Sequence, residues 1–115
     1  MIEASIDLSV FNELQESTGC DFIKELVETF IEEAPGIFTE LKSAATAGDL
    51  DQFRRAAHSI KSNANVFGAH ELADLARQLE IAGLESIPED NAQKITALDA
   101  AYERSSARLK ALVDG

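Results

Sequence analysis

Apolar residues recur at spacings of three and four along most of the chain, the period of a helix with one buried face. A short first helix is predicted over residues 8–17, capped by Asp7 or Ser9 and closed by Gly19. A second begins after Asp21 and sets Phe22, Leu26 and Phe30 beside Ile23, Val27 and Ile31 on one side. Pro35 must disturb it, because proline lacks the helical donor and restrains Ala34. Helical spacing resumes at Ile37, Phe38 and Leu41 and runs to about Ala47. The pattern fits one kinked helix or two, with Gly48 as the stop.

Asp49 opens a third helix, with Gln52 placed for a capping box. Leu50, Phe53, Ala57, Ile60, Ala64 and Phe67 alternate by three and four to form a continuous stripe, and Gly68 ends it. A fourth helix carries Leu72, Leu75, Ala76, Leu79 and Ala82 and closes at Gly83. Pro88 suits the start of a last helix to about Val113, with Ile95, Leu98, Tyr102, Leu109 and Leu112 inward. Amphipathic helices joined by short turns imply an all-α fold, an up-and-down four-helix bundle with a short additional N-terminal helix. The stripes are its core.

A chain of 115 residues suits one domain, 1–115, around a single core. The formal net charge of −11 disfavours nucleic acid and anionic membrane surfaces. No apolar run is long enough to span a membrane, and the acidic start lacks the basic segment of a secretory signal. The expected location is the cytoplasm. Cys20, the single cysteine, excludes an internal disulfide and a thiolate cluster, and is expected as a small packing residue.

Against that acidic background one segment differs. From Gln52 to His70 there is no Asp or Glu, yet Arg54, Arg55 and Lys61 are present. His58 follows the stripe residue Ala57, so it points roughly 100° away from the core. Arg54, Lys61, Ser62 and Asn65 share its face, all polar. An exposed imidazole in a local positive island favours an anion beside it. If the third and fourth helices turn back at Gly68, residues near 78 to 80 lie opposite His58, and Gln78 and Glu80 are the polar ones. His70 sits near a helix start without comparable neighbours. No Glu-x-x-His pair occurs, which argues against a metal site across the bundle and against a metal-dependent enzyme.

The run Ala57-His58-Ser59-Ile60-Lys61-Ser62-Asn63-Ala64-Asn65-Val66-Phe67-Gly68-Ala69, followed by Leu72, Leu75, Leu79 and Glu80, closely resembles the histidine-containing phosphotransfer (HPt) family. Asp21 to Pro35 resembles the family's second helix more weakly. The resemblance implies a phosphocarrier in a two-component phosphorelay and not an enzyme in its own right. His58 is then the phosphoacceptor, Lys61 offsets phosphoryl charge, and Glu80 orients the histidine. Implied partners are response-regulator receiver domains and a hybrid sensor histidine kinase, docking around Arg54, Ser62, Asn65 and Ala69. The carrier is expected to be a monomer without cofactor of its own, magnesium being supplied by the receiver. Ser62 departs from the pattern, which usually has glycine directly after the lysine. Two alternatives share the fold: a binding-only adaptor, and the phosphoacceptor domain of a chemotaxis-type kinase.

Overall fold

The computed structural model describes residues 6–114. Met1 to Ser5 and Gly115, the outer edges of the expected 1–115 domain, lie outside the described residues. Five helices and no strand are present among the described residues: α1 (Leu8–Thr18), α2 (Cys20–Ala47), α3 (Leu50–Val66), α4 (His70–Ala82) and α5 (Asn91–Asp114). Helices α2 to α5 form a closed ring, each packed on the next, with α5 returning to α2, and α1 lies against α2. Phe53, Ala57, Ile60 and Ala64 of α3 meet Leu72, Ala76 and Leu79 of α4 and Leu98, Ala101 and Leu109 of α5 in one buried cluster. Deleting a side chain such as Phe53 from that centre should destabilise the fold by about 3–5 kcal/mol.

The helix ends follow local chemistry. Asp7 caps α1 by accepting from the Ser9 N–H at 3.0 Å, and Asp49 caps α3 by accepting from the Gln52 N–H at 3.1 Å. The Asp49 N–H donates to the Ala44 carbonyl of the preceding helix at 3.0 Å, so the reciprocal half of a capping box is not used. Gly48 closes α2 in the left-handed region at φ 75°. The last helix begins later than Pro88: the Asn91 N–H bonds the Pro88 carbonyl at 3.1 Å before regular turns start.

Pro35 does not divide α2, which runs unbroken through it. Proline leaves the carbonyl four residues earlier without its helical donor, here that of Ile31. The Tyr102 hydroxyl, from α5, donates to the Ile31 oxygen at 3.5 Å. Tyr102 is held there between Phe30 and Phe38, ring centroids 5.6 and 5.3 Å away.

Two residues expected to pack are exposed. Phe22 is 49% exposed, because Ile23, Val27 and Phe30 take the core-facing row and Phe22 falls beside it. Cys20, expected as packing, is exposed at the first turn of α2, where its sulfur accepts from the Gln15 amide at 3.6 Å. None of the helices, among the described residues, is long and apolar enough to cross a membrane.

Candidate functional site

α3 and α4 run back to back because the chain reverses within Phe67, Gly68 and Ala69. Gly68 adopts φ 76°, a conformation that glycine takes at little cost. The reversal leaves no room for a side chain: a Cβ on Gly68 would lie 2.8 Å from Val10 Cβ and 3.0 Å from the Asp7 carbonyl oxygen. The antiparallel pair places the middle of α3 opposite the end of α4, and His58 opposite Glu80.

The contacts there are specific. His58 Nδ1 lies 2.9 Å from Glu80 Oε2. Lys61 Nζ donates to the other oxygen, Oε1, at 2.8 Å. The Ser62 hydroxyl stands 3.4 Å from His58 Nε2. The imidazole is 57% exposed, whereas Glu80 and Lys61 are each 25% exposed. Gln78, the other residue left by the turn count, is drawn away, its amide donating to Asp74 at 3.0 Å.

This geometry has one chemical consequence. The Lys61 ammonium holds the Glu80 carboxyl below the usual glutamate range, partial burial works against it, and the His58 contact adds to the lowering. An ionised carboxylate only accepts hydrogen bonds. In the neutral ring the proton therefore resides on Nδ1, and Nε2 carries the lone pair on the side of the Ser62 hydroxyl. A fixed tautomer with an outward lone pair is what nucleophilic attack by histidine requires.

The family model that matches this chain is that of the Hpt domain, over residues 25–108. The chain belongs to the Hpt domain family. That family comprises the histidine phosphotransfer carriers of two-component phosphorelays. The chain is 31% identical over 100 residues to the sensor protein TorS of Escherichia coli strain K12, covering 85% of this chain and 11% of that protein. It thus spans about a tenth of the length of that curated relative. Its fold matches the crystal structure of histidine-containing phosphotransfer protein B from Pseudomonas aeruginosa PAO1, with a TM-score of 0.88 at 24% identity, covering 96% of this chain and 95% of the other.

The remaining expected positions of the Hpt domain divide. Ser62 and Asn65 are exposed on the His58 face. Arg54 is turned toward the end of α4, where its guanidinium donates to the Gly83 carbonyl at 3.1 Å. Ala69, expected among docking contacts, is fully buried: it precedes α4 at the tight reversal and packs in the core, so it has no surface to offer a partner. The positive island is weaker than its sequence suggests. Asp51, one residue before the acid-free segment, pairs with Arg55 at 2.6 Å and with Arg54 at 3.5 Å, and Glu80 pairs with Lys61.

Sequence reasoning missed an apolar groove between α2 and α3. Leu26, Thr29, Phe30, Glu33, Asn63, Val66 and Phe67 line it, and exposed Val66 forms its α3 rim. The signal was present in Val66, an apolar residue outside the α3 stripe, and in Phe22, one turn before Leu26. No group of three or more metal-ligating side chains occurs among the described residues.

Proposed function

We infer that His58 accepts a phosphoryl group from a receiver-domain aspartate, or from a kinase, and passes it to another receiver aspartate. The observation that supports this reading is the His58–Glu80–Lys61 arrangement, which leaves one imidazole nitrogen proton-free on an exposed ring. In the step, the Nε2 lone pair forms the N–P bond. The bond from phosphorus to the aspartyl oxygen breaks, and its electron pair leaves with the carboxylate. The ring keeps the Nδ1 proton and gains positive character, which the Glu80 carboxylate opposite it offsets. Transfer onward reverses these changes on a second aspartate. The domain acts as a carrier with a covalent phosphohistidine, and magnesium belongs to the receiver's side of the encounter.

Lys61 has a second duty in this scheme. An added phosphoryl group brings a charge approaching −2 by analogy with other phosphorylated side chains. Lys61, held on Glu80 in the unmodified protein, lies one turn from His58 and is close enough to share its charge with that group. Receivers and a hybrid sensor kinase are the expected partners, with Ser62, Asn65 and the apolar Val66–Leu26 groove forming the contact face of a cytoplasmic monomer. The similarity to a segment of a sensor protein favours a place within a longer signalling chain as well as a free-standing carrier.

Incubation with radiolabelled phospho-receivers tests this reading. Wild type should gain an acid-labile, alkali-stable label and His58→Gln should gain none. Receiver binding that is indifferent to His58→Gln, with no label on either protein, would instead make this an adaptor.

A further inference from the structure

The hydroxyl of Ser62 takes a different partner from the hydroxyls of four helical threonines. Thr18, Thr39, Thr46 and Thr96 each donate to the carbonyl four residues earlier, at 2.8, 2.9, 3.1 and 2.8 Å. Such back-bonding is one of the options open to a hydroxyl inside a helix. Ser62 Oγ is turned instead toward the side chain four residues earlier, and its contact is His58 Nε2 at 3.4 Å. Because Glu80 fixes the proton on Nδ1, Nε2 has only a lone pair to offer. The hydroxyl is therefore the donor in this contact, and it points at the atom that reacts.

We propose that Ser62 times the phosphorylation cycle by donating its hydroxyl proton first to the Nε2 lone pair and then to the phosphoryl group that replaces it. Before transfer, the donated hydrogen occupies the electron pair that must attack phosphorus, so the hydroxyl has to rotate away and loading slows. After transfer, phosphoryl oxygens stand beside Nε2 and accept from the same rotor, since a serine hydroxyl can turn its hydrogen to suit its neighbour. A phosphoryl oxygen held this way gives up the N–P bond to water more slowly. No atom of Ser62 is exchanged in either state. Only its hydrogen bond moves.

The consequence is a carrier that fills slowly and holds its charge for longer than a version without the hydroxyl. Its transfer arm rests on the reading of His58 as carrier. Loading with phosphoramidate, a small donor that releases ammonia, separates the two questions because no receiver is needed.

The test compares wild type with Ser62→Ala and Ser62→Gly, after thermal melts show each variant folded. The ¹⁵N shift of Nε2 in the unmodified protein reports the hydrogen bond directly and should move downfield in both variants. Loading by phosphoramidate, followed by ³¹P NMR, should be faster in both variants by about three- to tenfold, the worth of one ordinary hydrogen bond. Hydrolysis of the loaded protein should accelerate by a similar factor. Alanine retains the Cβ and lacks only the oxygen, so a purely steric role would leave Ser62→Ala like wild type and change only Ser62→Gly. That result, or an unmoved Nε2 shift, overturns the proposal. Loading by phosphoramidate together with failure by every phospho-receiver would count against the carrier reading while leaving the Ser62 rates to decide this one.

Discussion

Two histidines in this domain make nearly the same contact in different settings. His58 and His70 each lie 2.9 Å from a carboxylate oxygen, and both rings are more than half exposed. At His58 the carboxylate takes Nδ1, comes from the facing helix, and is itself held by a lysine. At His70 the carboxylate of Asp7 takes Nε2. Asp7 also accepts from the backbone and hydroxyl of Ser9, and its N–H donates to the Gly68 carbonyl at 2.8 Å. The His70 pair fastens the start of α1 onto the α3–α4 turn. The two pairs thus differ in which nitrogen the carboxylate takes and in what else holds that carboxylate.

The largest expected effect tests that contrast outright. His58→Gln should abolish phosphoryl labelling, whereas His70→Gln should retain it, since His70 serves the attachment of α1. Loss of labelling in both would erase the distinction. Next comes the orienting carboxylate. Glu80→Ala frees the ring to adopt either tautomer and removes a charge-assisted hydrogen bond, so transfer measured under single-turnover conditions should slow by about ten- to a hundredfold. Alanine at Asp7 should leave that rate unchanged.

Stability differences sharpen the comparison further. Gly68→Ala should cost about 1–3 kcal/mol in urea unfolding, because the left-handed backbone is strained and the new Cβ collides with Val10. Gly48→Ala shares the positive φ but opens onto free space, and should cost about 1 kcal/mol. Equal costs at the two glycines would show that α1 does not press on the turn.

The smallest effect concerns pH. The Glu80 carboxyl is lowered in the folded state, chiefly by Lys61. Its contribution to stability is therefore complete above the ordinary glutamate value of 4.5 and fades as pH falls through the lowered one. Partial exposure keeps that contribution small. A carboxyl-carbon NMR titration should place the Glu80 midpoint below other glutamates, and Lys61→Met should return it upward.

Much of this arrangement was legible in the chain because it rests on local chemistry. The three-four spacing of Phe53, Ala57, Ile60 and Ala64 locates the buried face of α3, and His58 follows as an outward residue. Counting back from Gly68 brings residues near 80 opposite it, since both helices rise equally per residue. What escaped depends on distant partners. The continuity of α2 through Pro35 is accompanied by Tyr102, far along the chain in α5. Arg54 and Arg55 lose their apparent freedom to Asp51 and to the end of α4. The turn count left Gln78 and Glu80 open and the family resemblance selected Glu80; that Gln78 is engaged by Asp74 lay outside both. The exposure of Phe22 reflects which row of α2 meets its neighbours, which periodicity alone resolves only to within one residue, and the burial of Ala69 reflects the tight α3–α4 reversal.

The most direct test of the central claim is to find the atom that carries phosphorus. Protein labelled with ¹⁵N in histidine, loaded from a phospho-receiver, should show phosphorus–nitrogen coupling to Nε2 of His58, with the Nδ1 proton still on the ring. Coupling to His58 Nδ1, or to either nitrogen of His70, would contradict the account, because the Glu80 contact would then not determine which nitrogen reacts.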